Sequence, residues 1–128
     1  MGKIIYPDLS YNLNGIFFKV HNYLGRYRNE QEYSDAIEED LQKAQIKYER
    51  EKTLPASFQG EKEGRNKIDF IIEDSIILEI KAKRFLTRED YYQIKRYLTA
   101  LNIKLGILVN FRDLRVNPKR ILNSSGHI

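Results

Sequence analysis

The stretch Ile68-Asp69-Phe70-Ile71-Ile72-Glu73-Asp74-Ser75-Ile76-Ile77-Leu78-Glu79-Ile80-Lys81 decides the reading of this chain. Two apolar, β-branched runs flank a short polar turn, which is the pattern of a β-hairpin. Side chains alternate along a strand, so Glu79 and Lys81 share one face of the second strand. Asp69 joins them in one register only. A three-residue loop at Glu73-Asp74-Ser75 sets it opposite Glu79, and a two-residue loop turns it the other way. In the first register two carboxylates and one ammonium converge. Hard carboxylate oxygens suit Mg²⁺ or Mn²⁺, and a neighbouring lysine can orient a water or stabilise charge on a phosphate. An E-x-K triplet alone is common on solvated strands. Here Ile71, Ile77 and Ile80 make a strand pair apolar on both faces, where unpaired charge is costly and implies a role or a partner.

The rest of the chain bounds what that hairpin can belong to. Its 128 residues are 41% hydrophobic and 31% charged, enough for one domain with one modest core, expected over residues 9–122. The absence of cysteine rules out a disulfide framework and a Cys-ligated zinc site. Two distant histidines do not close a zinc site either. No apolar run approaches the ~20 residues that span a bilayer. The segment Met1-Gly2-Lys3-Ile4-Ile5-Tyr6-Pro7 has no signal-peptide core, so a cytoplasmic protein without a membrane partner is the default. The sequence holds no Walker loop and no Ser/His/Asp arrangement.

Charge is unevenly spread. Residues 1–64 carry nine Lys/Arg and eleven Asp/Glu, a net of −2, whereas residues 65–128 carry thirteen and seven, a net of +6. The basic half also holds the Asp69/Glu79/Lys81 set. That polarity suits a polyanion such as nucleic acid, with Lys83, Arg84, Arg88, Lys95 and Arg96 as the candidate phosphate contacts. A solvated basic surface accounts for the charge equally well.

Periodicity gives an α/β alternation. Asp8 or Ser10 is expected to cap a helix through Leu13, Ile16, Phe17, Val20, Tyr23 and Leu24, ended by Gly25. A second helix is expected from Asn29 to Gln45, with Asn29 and Glu32 as its capping pair and Tyr33, Ala36, Ile37, Leu41 and Ala44 as its apolar stripe. A partly exposed strand follows from Ile46 to Leu54, then a polar loop at 58–65 with room for one short strand. After the hairpin, Thr87 and Asp90 form a capping box for a helix reaching Asn102 that buries Tyr91, Ile94, Leu98 and Leu101. A buried strand lies within Lys104–Phe111 and a last short one at Arg120-Ile121-Leu122. The tail from Asn123 onward is expected to be loose.

This order, helix, helix, three-stranded meander with D…ExK, helix, strand, resembles the PD-(D/E)xK nuclease superfamily, and within it the small GxxExxR family. The matching segments are Val20-His21-Asn22-Tyr23-Leu24-Gly25, Glu30 with Tyr33, Ile68-Asp69-Phe70, Leu78-Glu79-Ile80-Lys81-Ala82, Gln93 with Tyr97, and Leu108-Val109-Asn110-Phe111. The chain departs from the family at three places: Tyr27 stands at the first glycine, Tyr33 at the final arginine, and Ile68 where the superfamily's proline would precede Asp69.

The resemblance implies a restriction-endonuclease-like core, a mixed β-sheet flanked by helices, and Mg²⁺- or Mn²⁺-dependent hydrolysis of nucleic acid, DNA being expected before RNA. It makes Asp69, Glu79 and the Ile80 carbonyl metal ligands. Glu30 would be a further carboxylate or a water-mediated contact, and Lys81 the residue acting on the attacking water. Gln93, with Tyr97 one turn on, would match a Q-x-x-x-Y element that touches the lysine or the DNA. Plainer roles stand beside these: Glu30 as a first-turn acid favoured by the helix dipole, Gln93 as a solvated residue, Tyr97 as a core tyrosine, and His21 as a histidine bonded to a backbone carbonyl. A non-catalytic nucleic-acid- or protein-binding module on the same scaffold is the alternative function. The size also admits a homodimer, as in a junction resolvase.

Overall fold

A computed structural model describes residues 6–123. The expectations for residues 1–5 and for the tail at 124–128 lie outside the described residues. The elements follow in the order α1 (Pro7–Leu24), α2 (Glu30–Lys43), β1 (Tyr48–Thr53), β2 (Lys67–Ile72), β3 (Ile76–Lys81), α3 (Arg88–Leu101), β4 (Leu105–Asn110) and β5 (Lys119–Leu122). The five strands form one sheet in sequential order. β3 and β4 are parallel and joined through α3, whereas the other neighbours are antiparallel. A short turn can reverse a chain but cannot return it parallel, so a helix fills the β3–β4 crossover.

The sheet separates two apolar clusters. One joins Leu13, Phe17 and Val20 of α1 and Tyr33, Ile37 and Leu41 of α2 to Phe70, Ile72, Leu78, Ile80, Ile107 and Val109. Tyr33 stacks on Phe111 with ring centroids 4.4 Å apart, and Phe17 meets the same ring edge-on at 6.4 Å. The other cluster sets Ile94, Tyr97 and Leu98 of α3 on Ile71, Ile77, Leu108 and Ile121. Gly106 permits that seating: a Cβ there would lie 2.8 Å from the Ile94 side chain. The β3 and β4 strands are covered on both faces, which is why their sequences read as nearly unbroken apolar runs.

Several expectations need correction. Pro7, not a residue after Asp8 or Ser10, opens α1, since proline's fixed φ and missing N–H suit the first helical position. Tyr23 is 84% exposed and is not part of the α1 stripe. α2 ends at Lys43, short of Gln45, while its Asn29–Glu32 capping box is present. No strand forms within 58–65, and Tyr97, rather than Tyr91 or Leu101, is buried with Ile94 and Leu98 in α3. Asn123 is tied down: its side-chain amide donates to the carbonyls of Leu98 (3.2 Å) and Ile103 (3.1 Å).

Candidate active site

The turn between β2 and β3 sets the register. Glu73 and Asp74 take left-handed backbone, φ 52° and 54°, and the Ser75 N–H donates to the Ile72 carbonyl at 2.8 Å. Ile72 then faces Ile76, Ile71 faces Ile77 and Phe70 faces Leu78. Glu73-Asp74-Ser75 is thus the three-residue loop, and the same register brings Asp69 to Glu79.

At that level the ladder changes character. The Asp69 N–H donates to Glu79 Oε2 at 3.0 Å, and the Ile80 N–H donates to Asp69 Oδ2 at 2.7 Å. Side-chain carboxylates replace backbone carbonyls as acceptors, which holds both acids between the strands. Glu79 is only 4% exposed. Burial, and then the charge of Asp69, push its pKa up to about 8. Burial also raises that of Asp69. The Ile80 N–H and Lys81 oppose the rise, while the charges of Glu30 and Glu51 add to it. Two carboxylates crowded out of water cannot both ionise cheaply, so without a cation the pair holds a proton.

Lys81 does not neutralise them outright. Its side chain is 19% exposed, and its ammonium lies 3.9 Å from Oδ1 of Asp90. Lys83 reaches both oxygens of the same carboxylate, at 3.1 and 2.9 Å. Asp90 also accepts from the Thr87 N–H at 2.7 Å as the acid of the α3 capping box. Burial works against ionising Asp90, but the Thr87 N–H and the two lysines prevail and hold its pKa below the ordinary carboxylate value.

Glu30, the first residue of α2, approaches from the other side. Its Oε2 accepts from the Ala82 N–H at 3.3 Å, one residue beyond Lys81. Asn110, 1% exposed at the end of β4, accepts from the Lys83 N–H (3.0 Å) and donates to the Lys83 carbonyl (2.8 Å). The chain leaving β3 is therefore fixed on both flanks.

The remaining candidates fall in different places. Tyr97 is 2% exposed, its hydroxyl donates to the Lys67 carbonyl at 3.4 Å, and burial followed by the charge of Glu79 pushes its pKa up to about 12. Its phenol is buried within reach of the carboxylates' charge rather than on the surface. Gln93, one turn earlier, is half-buried and makes no side-chain hydrogen bond among the described residues. Arg84, Arg88, Lys95 and Arg96 are exposed, and Arg84 lies over the Phe85 ring at 5.4 Å. His21 pairs through Nε2 with the Asp113 carbonyl at 3.0 Å. A hollow of about 840 Å³ lined by Tyr11, Phe18, Lys43 and Ile46 holds none of these groups.

Asp69, Glu79 and the Ile80 carbonyl offer an all-oxygen donor set of the kind Mg²⁺ accepts, since that ion takes one or two carboxylates and keeps several waters. A cation would also relieve the repulsion that raises both pKa values, so the residues fit the ion. Among the described residues no three His, Cys, Asp or Glu side chains are grouped to hold a metal. Sequence reasoning missed two contributors. Asp90 read only as a helix cap, and Glu51 read as a solvated strand residue. Neither has a spacing to Glu79 that a linear pattern would expose. Residues 7–121 match the sequence profile of the PD-(D/E)XK nuclease superfamily. No curated protein and no solved structure matches the chain significantly.

Proposed function

The chain belongs to the PD-(D/E)XK nuclease superfamily, and from that premise we propose that it is a metal-dependent phosphodiesterase acting on nucleic acid, DNA in the first instance. Within the superfamily we place it with the GxxExxR group, on Glu30 and the segments around Asp69, Glu79 and Asn110. The observation that carries the reading is the buried Asp69–Glu79 pair, raised in pKa by burial and mutual repulsion, with Lys81 on the same strand. A buried, mutually repelling pair costs stability, and groups so perturbed cluster at functional sites.

In this reading Asp69, Glu79 and the Ile80 carbonyl would hold a Mg²⁺ or Mn²⁺ ion, with Glu30 reaching it through water. When bound, the ion supplies Lewis-acid polarisation of the scissile phosphate and of its attacking water. Lys81 orients that water and stabilises the charge that builds on the phosphate oxygens. Asp90 anchors Lys81 and Lys83 from behind. Tyr97 seals the floor under Glu79 and keeps water from relaxing the pair. Gln93 is the polar group on α3 left to meet the substrate strand. Lys83, Arg84, Arg88, Lys95 and Arg96 supply phosphate attraction. No described helix is long and apolar enough to cross a membrane, and we assign the domain to the cytoplasm.

One observation favours the alternative of a non-catalytic binding module: the Lys81 ammonium contacts Asp90, a residue outside the carboxylate pair. Nicking of supercoiled plasmid separates the two readings. The nuclease reading expects relaxed and linear products with Mg²⁺ or Mn²⁺ and none with EDTA. A gel shift in EDTA with no product at any metal concentration would leave the binding module.

A further inference from the structure

Beside the carboxylate pair lies an arrangement that the hydrolytic chemistry does not use. Arg26 Nε donates to the Arg112 carbonyl at 2.8 Å, and Arg112 Nε donates to the Arg26 carbonyl at 3.0 Å. The reciprocal bonds lock the α1–α2 loop to the segment after β4. Both guanidiniums then lie against one ring, Tyr27, at 5.2 and 5.6 Å from its centroid. Tyr27 is nevertheless 75% exposed. The loop is braced from below by Tyr33, whose hydroxyl donates to the Gly25 carbonyl (2.6 Å) and accepts from the Arg28 N–H (3.2 Å).

Charge separates these two arginines from others nearby. Arg50 is paired with Asp35 and Glu38, and Arg28 with Glu32. Among the described residues, neither Arg26 nor Arg112 has a carboxylate partner. The protein thus fixes two unneutralised guanidiniums around an exposed aromatic ring, at a cost in chain entropy that a solvated surface would not require. The position is also defined. Arg112 Nη2 donates to the Ala82 carbonyl at 3.4 Å, while Glu30 accepts from the N–H of the same residue. Tyr27, Glu30, Ala82 and Arg112 line one open hollow of about 570 Å³. It begins one residue past Lys81.

We infer that Arg26, Tyr27 and Arg112 form a subsite for an unpaired nucleotide, its base stacked on Tyr27 and its phosphate on the guanidiniums, so that the preferred substrate carries a single-stranded segment. Every base has a π-face, whereas in a duplex that face is stacked on its neighbours and closed to a protein ring. Guanidiniums alone would attract duplex and single strand alike. The exposed ring beside them is what selects the unpaired strand. The inference rests on the nuclease reading for its place beside the scissile phosphate, but binding does not depend on cleavage.

The test is fluorescence anisotropy in EDTA, with a labelled 20-nucleotide single strand and the blunt duplex of the same sequence as probes. Tyr27→Ala should weaken single-strand binding about tenfold and change duplex binding less than about twofold. Tyr27→Phe keeps the stacking face and should bind like the parent. Tyr11→Ala, which removes an equally exposed ring elsewhere, should change neither probe. Equal weakening of both probes by Tyr27→Ala, no weakening of either, or a parent that does not bind the single strand would each overturn the subsite. A parent that binds through Tyr27 yet never cleaves with Mg²⁺ would keep the subsite and remove the nuclease reading.

Discussion

Two clusters of charge on neighbouring strands show opposite electrostatics. On β1, Arg50 lies over the Phe70 ring and reaches Asp35 and Glu38 of α2 at 2.8 and 2.7 Å. The Tyr48 hydroxyl and Arg50 hold the Glu38 pKa below the ordinary value. On β2 and β3, Asp69 and Glu79 have backbone N–H donors but, among the described residues, no cation in direct contact, and burial raises both pKa values. Lys81, which partly offsets the pair, has its ammonium 3.9 Å from Asp90, and Lys83 pairs with the same Asp90 carboxylate. The first cluster carries its own counter-charge, although Arg50 Nη2 is buried without a hydrogen-bond partner among the described residues. The second carries more negative charge than the residues around it offset. Acidity in a fold therefore says little until its counter-charges are traced.

The largest effect that would break this contrast is on chemistry. Lys81→Ala should lower cleavage by about 10²–10³-fold at saturating metal, because the lysine acts on charge developing at the phosphate. DNA binding in EDTA should fall only modestly, since other cations carry it. Single-turnover cleavage rates beside anisotropy measure both, and unchanged cleavage would remove Lys81 from the chemistry.

A pH series on metal-free protein probes the pair itself. Because the folded state raises the Glu79 pKa to about 8, it holds a proton that the unfolded chain has already released. Stability should therefore be full below the ordinary glutamate value and fall as pH rises through about 8. Glu79→Gln should flatten that decline, matching the parent near pH 4 and exceeding it above pH 8 by on the order of 3 kcal/mol. Urea midpoints across the range would show it. A parent whose stability rises between pH 5 and 8 would mean the pair is not strained.

The Arg50 cluster should respond in the opposite sense. Arg50→Ala strips the cation from Glu38 and Asp35 and the packing from Phe70, and should cost about 1–2 kcal/mol, the exposure of its partners screening the rest. It should leave any metal response intact, so a loss of that response would show the two clusters to be coupled.

The carboxylate pair was legible in the sequence because both of its determinants are local. Parity along β3 aligns Glu79 with Lys81, and the length of the Glu73-Asp74-Ser75 turn selects the Asp69 register. The helices were legible through periodicity and through the Asn29 and Thr87 caps. What could not be read depends on contacts across the chain. Asp90 reaches Lys81 and Lys83 only once α3 is seated, which Gly106 permits. Arg26 and Arg112 are brought together from distant parts of the chain by side-chain bonds to each other's backbone carbonyls, acceptors that no residue pattern marks. Tyr27 and Tyr33 read as departures from a family pattern. In the fold, one caps the loop beside the site and the other braces it.

If Asp69 and Glu79 form a site for a divalent cation, Mg²⁺ should raise the thermal unfolding temperature through those two residues. An ion bound at a hundred times its Kd stabilises the folded state by about 2.7 kcal/mol, a rise of several degrees in Tm for a domain of this size. The parent and Arg50→Ala should both show that rise, with Mn²⁺ acting likewise, and Asp69→Asn should lose it. An equal rise in Asp69→Asn, or no rise in the parent at any Mg²⁺ concentration, would show that the pair does not bind the ion.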